Sequence, residues 1–210
     1  MKPSKTNWEL LRPMLGFAPI NVLKETMHRT TQFAQNILER TPMRRHLKTR
    51  FPAANIARRN EPVATDTVYS DTPAIDNGAC YAQIFIGRES LVADVYSMVS
   101  DKEFVNTLED QIRQRGAMDH LISDHAQVEI LKWVHDILRA YAISNWQSEP
   151  YHQHQNFYER RCQVIKNYVN NIMNRLGVPP SLWLLVLEYV CYLPNHLSCA
   201  SLGGATPSPI

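Results

Sequence analysis

Residues 80–86, CYAQIFI, narrow the fold more than any other stretch. The run is nearly all apolar and lies between two segments of turn chemistry. Asp71, Pro73, Asp76, Asn77 and Gly78 precede it, and a turn over Gly87–Glu89 follows. A strand without polar alternation has no face for water, so it belongs inside a sheet covered on both sides. Its neighbours extend the pattern. Residues 63–69 (VATDTVY) and 91–98 (LVADVYSM) have the β-branched and aromatic character of strands. Three consecutive strands joined by short connections form an antiparallel meander.

Helix and strand signals alternate after the meander. Residues 100–115 read as a helix, with Ser100 as cap, Glu103 completing a capping box, and Phe104, Val105, Leu108 and Ile112 facing inward. Gly116 ends it, and residues 118–123 form a short fourth strand. A second helix spans 127–141, with Val128, Leu131, Val134, Ile137, Leu138 and Tyr141 inward, and residues 142–146 form a fifth strand. A polar loop then runs into a helix whose apolar stripe is Ile165, Val169, Ile172 and Leu176, broken by the Gly177-Val-Pro-Pro sequence. A strongly apolar helix over 181–196 and a Gly/Pro/Ser tail complete the chain. The order βββ-α-β-α-β-α-α predicts a mixed five-stranded sheet flanked by helices. The crossover through the first of these helices makes the first and fourth strands parallel neighbours. The expected organisation is an extension over 1–60, a compact domain over 61–200 and a tail over 201–210. Within the extension, 21–39 reads as a helix and 40–59 as a basic linker.

Charge is distributed unevenly. Residues 1–60 hold 12 lysines and arginines against three glutamates, while the remainder is net acidic. A basic arm on an acidic body suits a partner made of phosphates, and equally suits a solvated leader. The longest apolar run, residues 182–193, is too short for the roughly 20 residues of a span, so no membrane partner is expected. The four cysteines show no metal-knuckle spacing and read as reduced intracellular thiols. Phosphate-binding glycine loops and dinucleotide fingerprints are missing. Residues 123–125, Ser-Asp-His, are no catalytic triad, because sequence neighbours point in different directions.

Three carboxylates stand out. Asp66 lies mid-strand, where an acid is disfavoured and costly to bury without a cation. Asp124 follows the fourth strand, and parallel pairing would bring it to the same sheet edge as Asp66. Glu159 sits on the first turns of the helix that follows the polar loop, and Gln155, Gln163, Lys166 and Asn170 fall at −4, +4, +7 and +11 from it, on one face. Converging acids repel unless a hard divalent cation, Mg²⁺ or Mn²⁺, joins them. Two such ions roughly 3.5–4 Å apart are machinery for phosphodiester chemistry, and would need the three carboxylates within roughly 8 Å of one another. Each acid also has an ordinary reading. Asp124 can be a helix cap with Gln127, Asp66 can pair with a buried arginine, and Glu159 can be a surface residue. His152 and His154 lack the further ligands of a zinc site and read as loop residues placed to touch phosphate.

The order Asp66, Asp124, Glu159, with the segments VATDTVYSDTPAIDNG, LISDHAQVEI and WQSEPYHQHQNFYERR, resembles the DDE catalytic core of retroviral and retrotransposon integrases. Copia-type elements of diatoms are the nearest in kind. The resemblance covers roughly residues 60–207. It implies an RNase H-like fold and a polynucleotidyl transferase that processes DNA 3′ ends and transfers strands. By that likeness Asp66 and Asp124 hold one Mg²⁺ or Mn²⁺, and Asp66 and Glu159 hold the other. Gln155, Asn156 and Lys166, with Arg160 and His154 beside them, contact the DNA end. Element ends and target DNA, a homo-oligomer, and an intracellular site of action that is nuclear on chromosomal DNA are also implied. A relic or domesticated nucleic-acid-binding module of the same fold is the alternative. Neither the zinc domain before the core nor the basic domain after it is visible in this sequence, and Tyr158 stands where the family usually has a small residue.

Overall fold

The computed structural model describes residues 7–29, 50–123, 132–147 and 157–207. Short helices α1 (Trp8–Leu11) and α2 (Ile20–Arg29) come first, then α3 (Pro52–Asn55). The meander follows as β1 (Pro62–Tyr69), β2 (Tyr81–Gly87) and β3 (Ala93–Met98). Helix α4 (Phe104–Arg115), β4 (His120–Ser123), α5 (Lys132–Ala140) and β5 (Ser144–Gln147) alternate after it. Helices α6 (Phe157–Leu176) and α7 (Trp183–His196) close the fold.

The five strands form one sheet in the order β3-β2-β1-β4-β5. β1 pairs antiparallel with β2, and β2 with β3, while β1–β4 and β4–β5 are parallel. The meander and the parallel pairing of first and fourth strands are as the element order predicts. β2 is buried along nearly its whole length, with Phe85, Ile84 and Ile86 among the least exposed side chains. Its neighbours in the sheet and helices on both faces account for that. Ala64, Ile84, Ile86 and Ile122 pack under α6 and α7. Val63, Phe85 and Leu121 pack under α4 and α5 through Phe104, Leu108, Ile112, Val134 and Leu138. Among the described residues no helix is long and apolar enough to cross a membrane.

Several local readings need correction. The Ser100 side chain makes no cap bond. Glu103 instead reaches back one residue further and accepts the Val99 N–H at 2.8 Å. A 3₁₀ turn, Asp101–Glu103, precedes α4. On α6 the buried stripe is Tyr158, Cys162, Ile165 and Ile172, whereas Leu176 is exposed at the helix end. The C-terminal tail is not featureless: Ala200–Leu202 make a 3₁₀ turn, and Cys199 N–H donates to Ala205 O at 3.0 Å.

The N-terminal residues pack against the body. Ala18 and Leu23 are buried with Leu197. Four of the six described cations in residues 1–60 are ion-paired: Arg12 with Glu9, Arg29 with Glu25, Arg58 with Asp119 and Arg59 with Glu61. Arg58 also donates to Tyr141 O at 2.7 Å, which ties the approach to β1 onto the body.

Candidate metal and nucleic-acid site

Side chains alternate along β1. Ala64 and Val68 face α6 and α7, and Val63 faces the other layer. Asp66, midway between Ala64 and Val68, therefore points toward α6. Its backbone stays in the ladder opposite Ile84, and its side chain is 24% exposed. The β1–β4 register pairs Ala64 with Ile122, so Asp66 stands just past the last paired residues of the parallel strands. The strand order turns in opposite directions from β1 and β4, and the carboxyl ends of such a pair leave a crevice where open α/β sheets bind ligands. Asp124, next in the chain after β4, lies outside the described residues.

Helix α6 supplies the other wall. Tyr158, Cys162 and Ile165 anchor its first turns in the core. That anchoring leaves Gln163, Lys166 and Asn170 exposed along one side. Glu159 lies in the same helix, seven residues before Lys166 and about 10 Å from it along the axis. Lys166 crosses to the sheet, its Nζ 3.3 Å from Asp66 Oδ2. Side chains on a helix lean toward its N-terminus, so this contact lies on the Glu159 side of the Lys166 backbone. Tyr158 is only 2% exposed, which explains how a bulky ring is accommodated next to Glu159: it is part of the core that seats α6.

Of the predicted site residues, Asp66 and Lys166 are thus brought into contact. Arg160 is exposed on the first turn of α6. Glu159 is placed in α6 by its backbone. Gln155, Asn156 and His154 lie outside the described residues. Asp66 does have a cationic partner, as the ordinary reading of a mid-strand acid requires, but it is a half-exposed lysine and not a buried arginine. Among the described residues no three His, Cys, Asp or Glu side chains gather into a metal-binding group. The donor chemistry nevertheless suits a hard cation. Asp66 offers a part-buried carboxylate whose one described hydrogen-bond partner is a long, flexible ammonium.

Compared by sequence, the chain matches no protein-family model and no curated protein. Solved structures do match. A chain of the simian T-cell lymphotropic virus intasome, in complex with PP2A regulatory subunit B56 gamma, aligns with 73% of this chain at TM-score 0.56 and 15% identity. The magnesium complex of the HTLV-2 integrase catalytic core, in its trimeric form, aligns with 70% at TM-score 0.55 and 16% identity. The fold is that of a retroviral integrase catalytic core. The BIV integrase core agrees, at TM-score 0.53 and 15% identity over 70% of this chain and 91% of its own. The alignment spans 93% of the HTLV-2 core but 58% of the simian viral chain. The RNase H-like mixed sheet expected from the element order is therefore the integrase-core fold, reached at an identity too low to carry more than architecture.

The Asp66–Lys166 contact was missed by sequence reasoning, which placed both residues at the site but assigned Lys166 to DNA alone. The signal was present: an acid in a strand interior demands a cation, and Lys166 is a basic residue of α6, seven residues after Glu159.

Proposed function

We propose that the chain is an integrase-type polynucleotidyl transferase, acting on the DNA ends of a mobile element of copia type and on target DNA. One observation carries the reading. A mid-strand aspartate of β1, just past the last pairing with the parallel β4, is contacted by Lys166 of α6, the helix whose first turn contains Glu159. Asp66 with Asp124 would hold one divalent ion, and Asp66 with Glu159 the second. Such ions would supply Lewis-acid activation of an attacking hydroxyl or water and charge neutralisation at the phosphorus. The protein's own part is positional. Asp66 is fixed by the ladder, α6 is fixed by Tyr158, Cys162 and Ile165, and Lys166 and Arg160 offer cations to the phosphates of the DNA end. Gln155, Asn156 and His154 complete that contact. The HTLV-2 cores occur in dimeric and trimeric forms with magnesium, which supports self-association and Mg²⁺ as the ion here. Work on chromosomal DNA would place the protein in the nucleus.

The test uses a short duplex carrying an element end, Mg²⁺ and the wild-type chain, with Glu159→Gln in parallel. Shortened 3′ ends and strand-transfer products from wild type, reduced to background by Glu159→Gln, are the expected result. DNA binding without any metal-dependent product would leave a nucleic-acid-binding module of the same fold.

A further inference from the structure

The ion pair between Lys166 and Asp66 has a thermodynamic consequence. A lysine ammonium and a divalent cation on the same carboxylate repel each other and compete for its oxygens. Metal binding at Asp66 therefore weakens the Lys166 contact, and that contact weakens metal binding. The pair joins a lysine side chain 51% exposed to an aspartate 24% exposed, so parting them costs little and the lysine remains free to swing outward. Outward lies the exposed α6 face of Gln163 and Asn170. A backbone phosphate lying along that face would accept a charge-assisted hydrogen bond from the same ammonium.

We propose that Lys166 is the resident counter-ion of Asp66 and couples DNA binding to metal loading. In the metal-free protein it neutralises the acid and holds the β1–α6 crevice together. When a DNA phosphate takes the ammonium, Asp66 is left uncompensated and its affinity for a divalent cation rises. Coupling of this kind is reciprocal, so bound metal releases Lys166 and strengthens DNA binding by the same factor. The arrangement favours metal loading on DNA over loading in free solution. This inference rests on the polynucleotidyl-transfer reading above, and its failure can be told apart from the failure of that reading.

The experiment follows Mn²⁺ binding to the full chain by the electron paramagnetic resonance signal of the free ion, with and without a saturating short DNA duplex. Wild type, Lys166→Met, Lys166→Arg, Asp66→Asn and Lys102→Met are compared. Lys102 is an exposed cation of the turn before α4 and sets the size of a bulk charge effect. Without DNA, Lys166→Met is expected to bind Mn²⁺ about two- to fivefold more tightly than wild type, the range of a half-exposed ion pair. Lys166→Arg should behave as wild type and Lys102→Met should change little. Duplex DNA should tighten Mn²⁺ binding in wild type and do so less in Lys166→Met. Equal affinities for wild type and Lys166→Met, or an equal gain for Lys102→Met, would overturn the counter-ion role. An equal DNA effect in wild type and Lys166→Met would overturn the coupling. If Asp66→Asn leaves Mn²⁺ binding unchanged, no metal sits at Asp66, and the functional reading falls together with the inference.

Discussion

Two acids near the start of the sheet show what a side chain's neighbours decide. Asp66 was recognisable in the sequence because an acid inside a β-branched run violates local preference. Glu61 was not, because it sits at the edge of a polar stretch and nothing local marks it. In the structure it is 4% exposed, and its carboxylate accepts the Ser90 hydroxyl at 2.8 Å and the Glu89 and Ser90 N–H groups at 2.9 Å each. Arg59 completes the ring of donors. The partners lie almost thirty residues away, across the β2–β3 turn, so only the fold reveals them. Gly87 abuts the cluster, and a Cβ there would overlap Arg59, Ser90 and Glu61. Burial pushes the Glu61 carboxyl up, but the Ser90 donors and the Arg59 guanidinium outweigh it and hold it below its ordinary 4.5. A carboxylate depressed in this way stabilises the fold above pH 4.5. That contribution is lost as pH falls from 4.5 through the lower folded value, because the unfolded chain takes up its proton first. Glu61→Gln should cost about 3 kcal/mol at neutral pH by leaving Arg59 buried and uncompensated. The difference from wild type in urea unfolding should narrow as pH falls below 4.5 through the lower folded value, where the wild-type carboxylate is also being neutralised.

Asn195 extends the same reasoning to whole elements. β3 is an edge strand, and unpaired edges invite unwanted association. Where it begins, Asn195 of α7 accepts the Ala93 N–H and donates to the Ala93 carbonyl, both at 2.8 Å. The amide thus substitutes for one residue of a missing strand and ties the last helix to the sheet. Replacing Asn195 with Leu leaves both Ala93 groups buried and unpaired, and should cost about 2 kcal/mol. Amide hydrogen exchange should show protection lost at Ala93 while the centre of β2 stays protected. The elements themselves were largely legible. Turn residues separated apolar runs at β1, β2 and β3, and the stripes of α4 and α5 fell on Leu108, Ile112, Val134 and Leu138 as periodicity required. The 3₁₀ turns at Pro180–Leu182 and Ala200–Leu202 were not legible, because three residues hold no period. Asn195 escaped notice for a related reason: α7 is apolar almost throughout, so nothing in its pattern separates an inward amide from an inward leucine.

At the scale of the molecule, the two ends of the described chain close on each other. Thr26 accepts the Ser198 N–H at 2.7 Å while donating to Val22 O at 2.8 Å, and the Tyr189 hydroxyl donates to Met14 O. Arg175 lies over the Phe17 ring, 4.8 Å from its centroid. Composition alone suggested a basic leader, because lysine and arginine dominate the count while the anchoring residues, Ala18, Leu23 and Thr26, are few and ordinary. The consequence is cooperativity. A leader that only carries charge can lose a side chain without disturbing the body, whereas a segment sharing a core with α7 cannot. Leu23 is 1% exposed against Leu197, so Leu23→Ala opens a cavity between the first and last parts of the chain. It should destabilise the protein by about 3 kcal/mol. The loss should appear as one shifted unfolding transition, with tryptophan fluorescence and far-ultraviolet circular dichroism moving together. An unchanged transition of the body, preceded by a separate small one, would show that the N-terminal helices fold as an appendage and contribute nothing to the seating of α7.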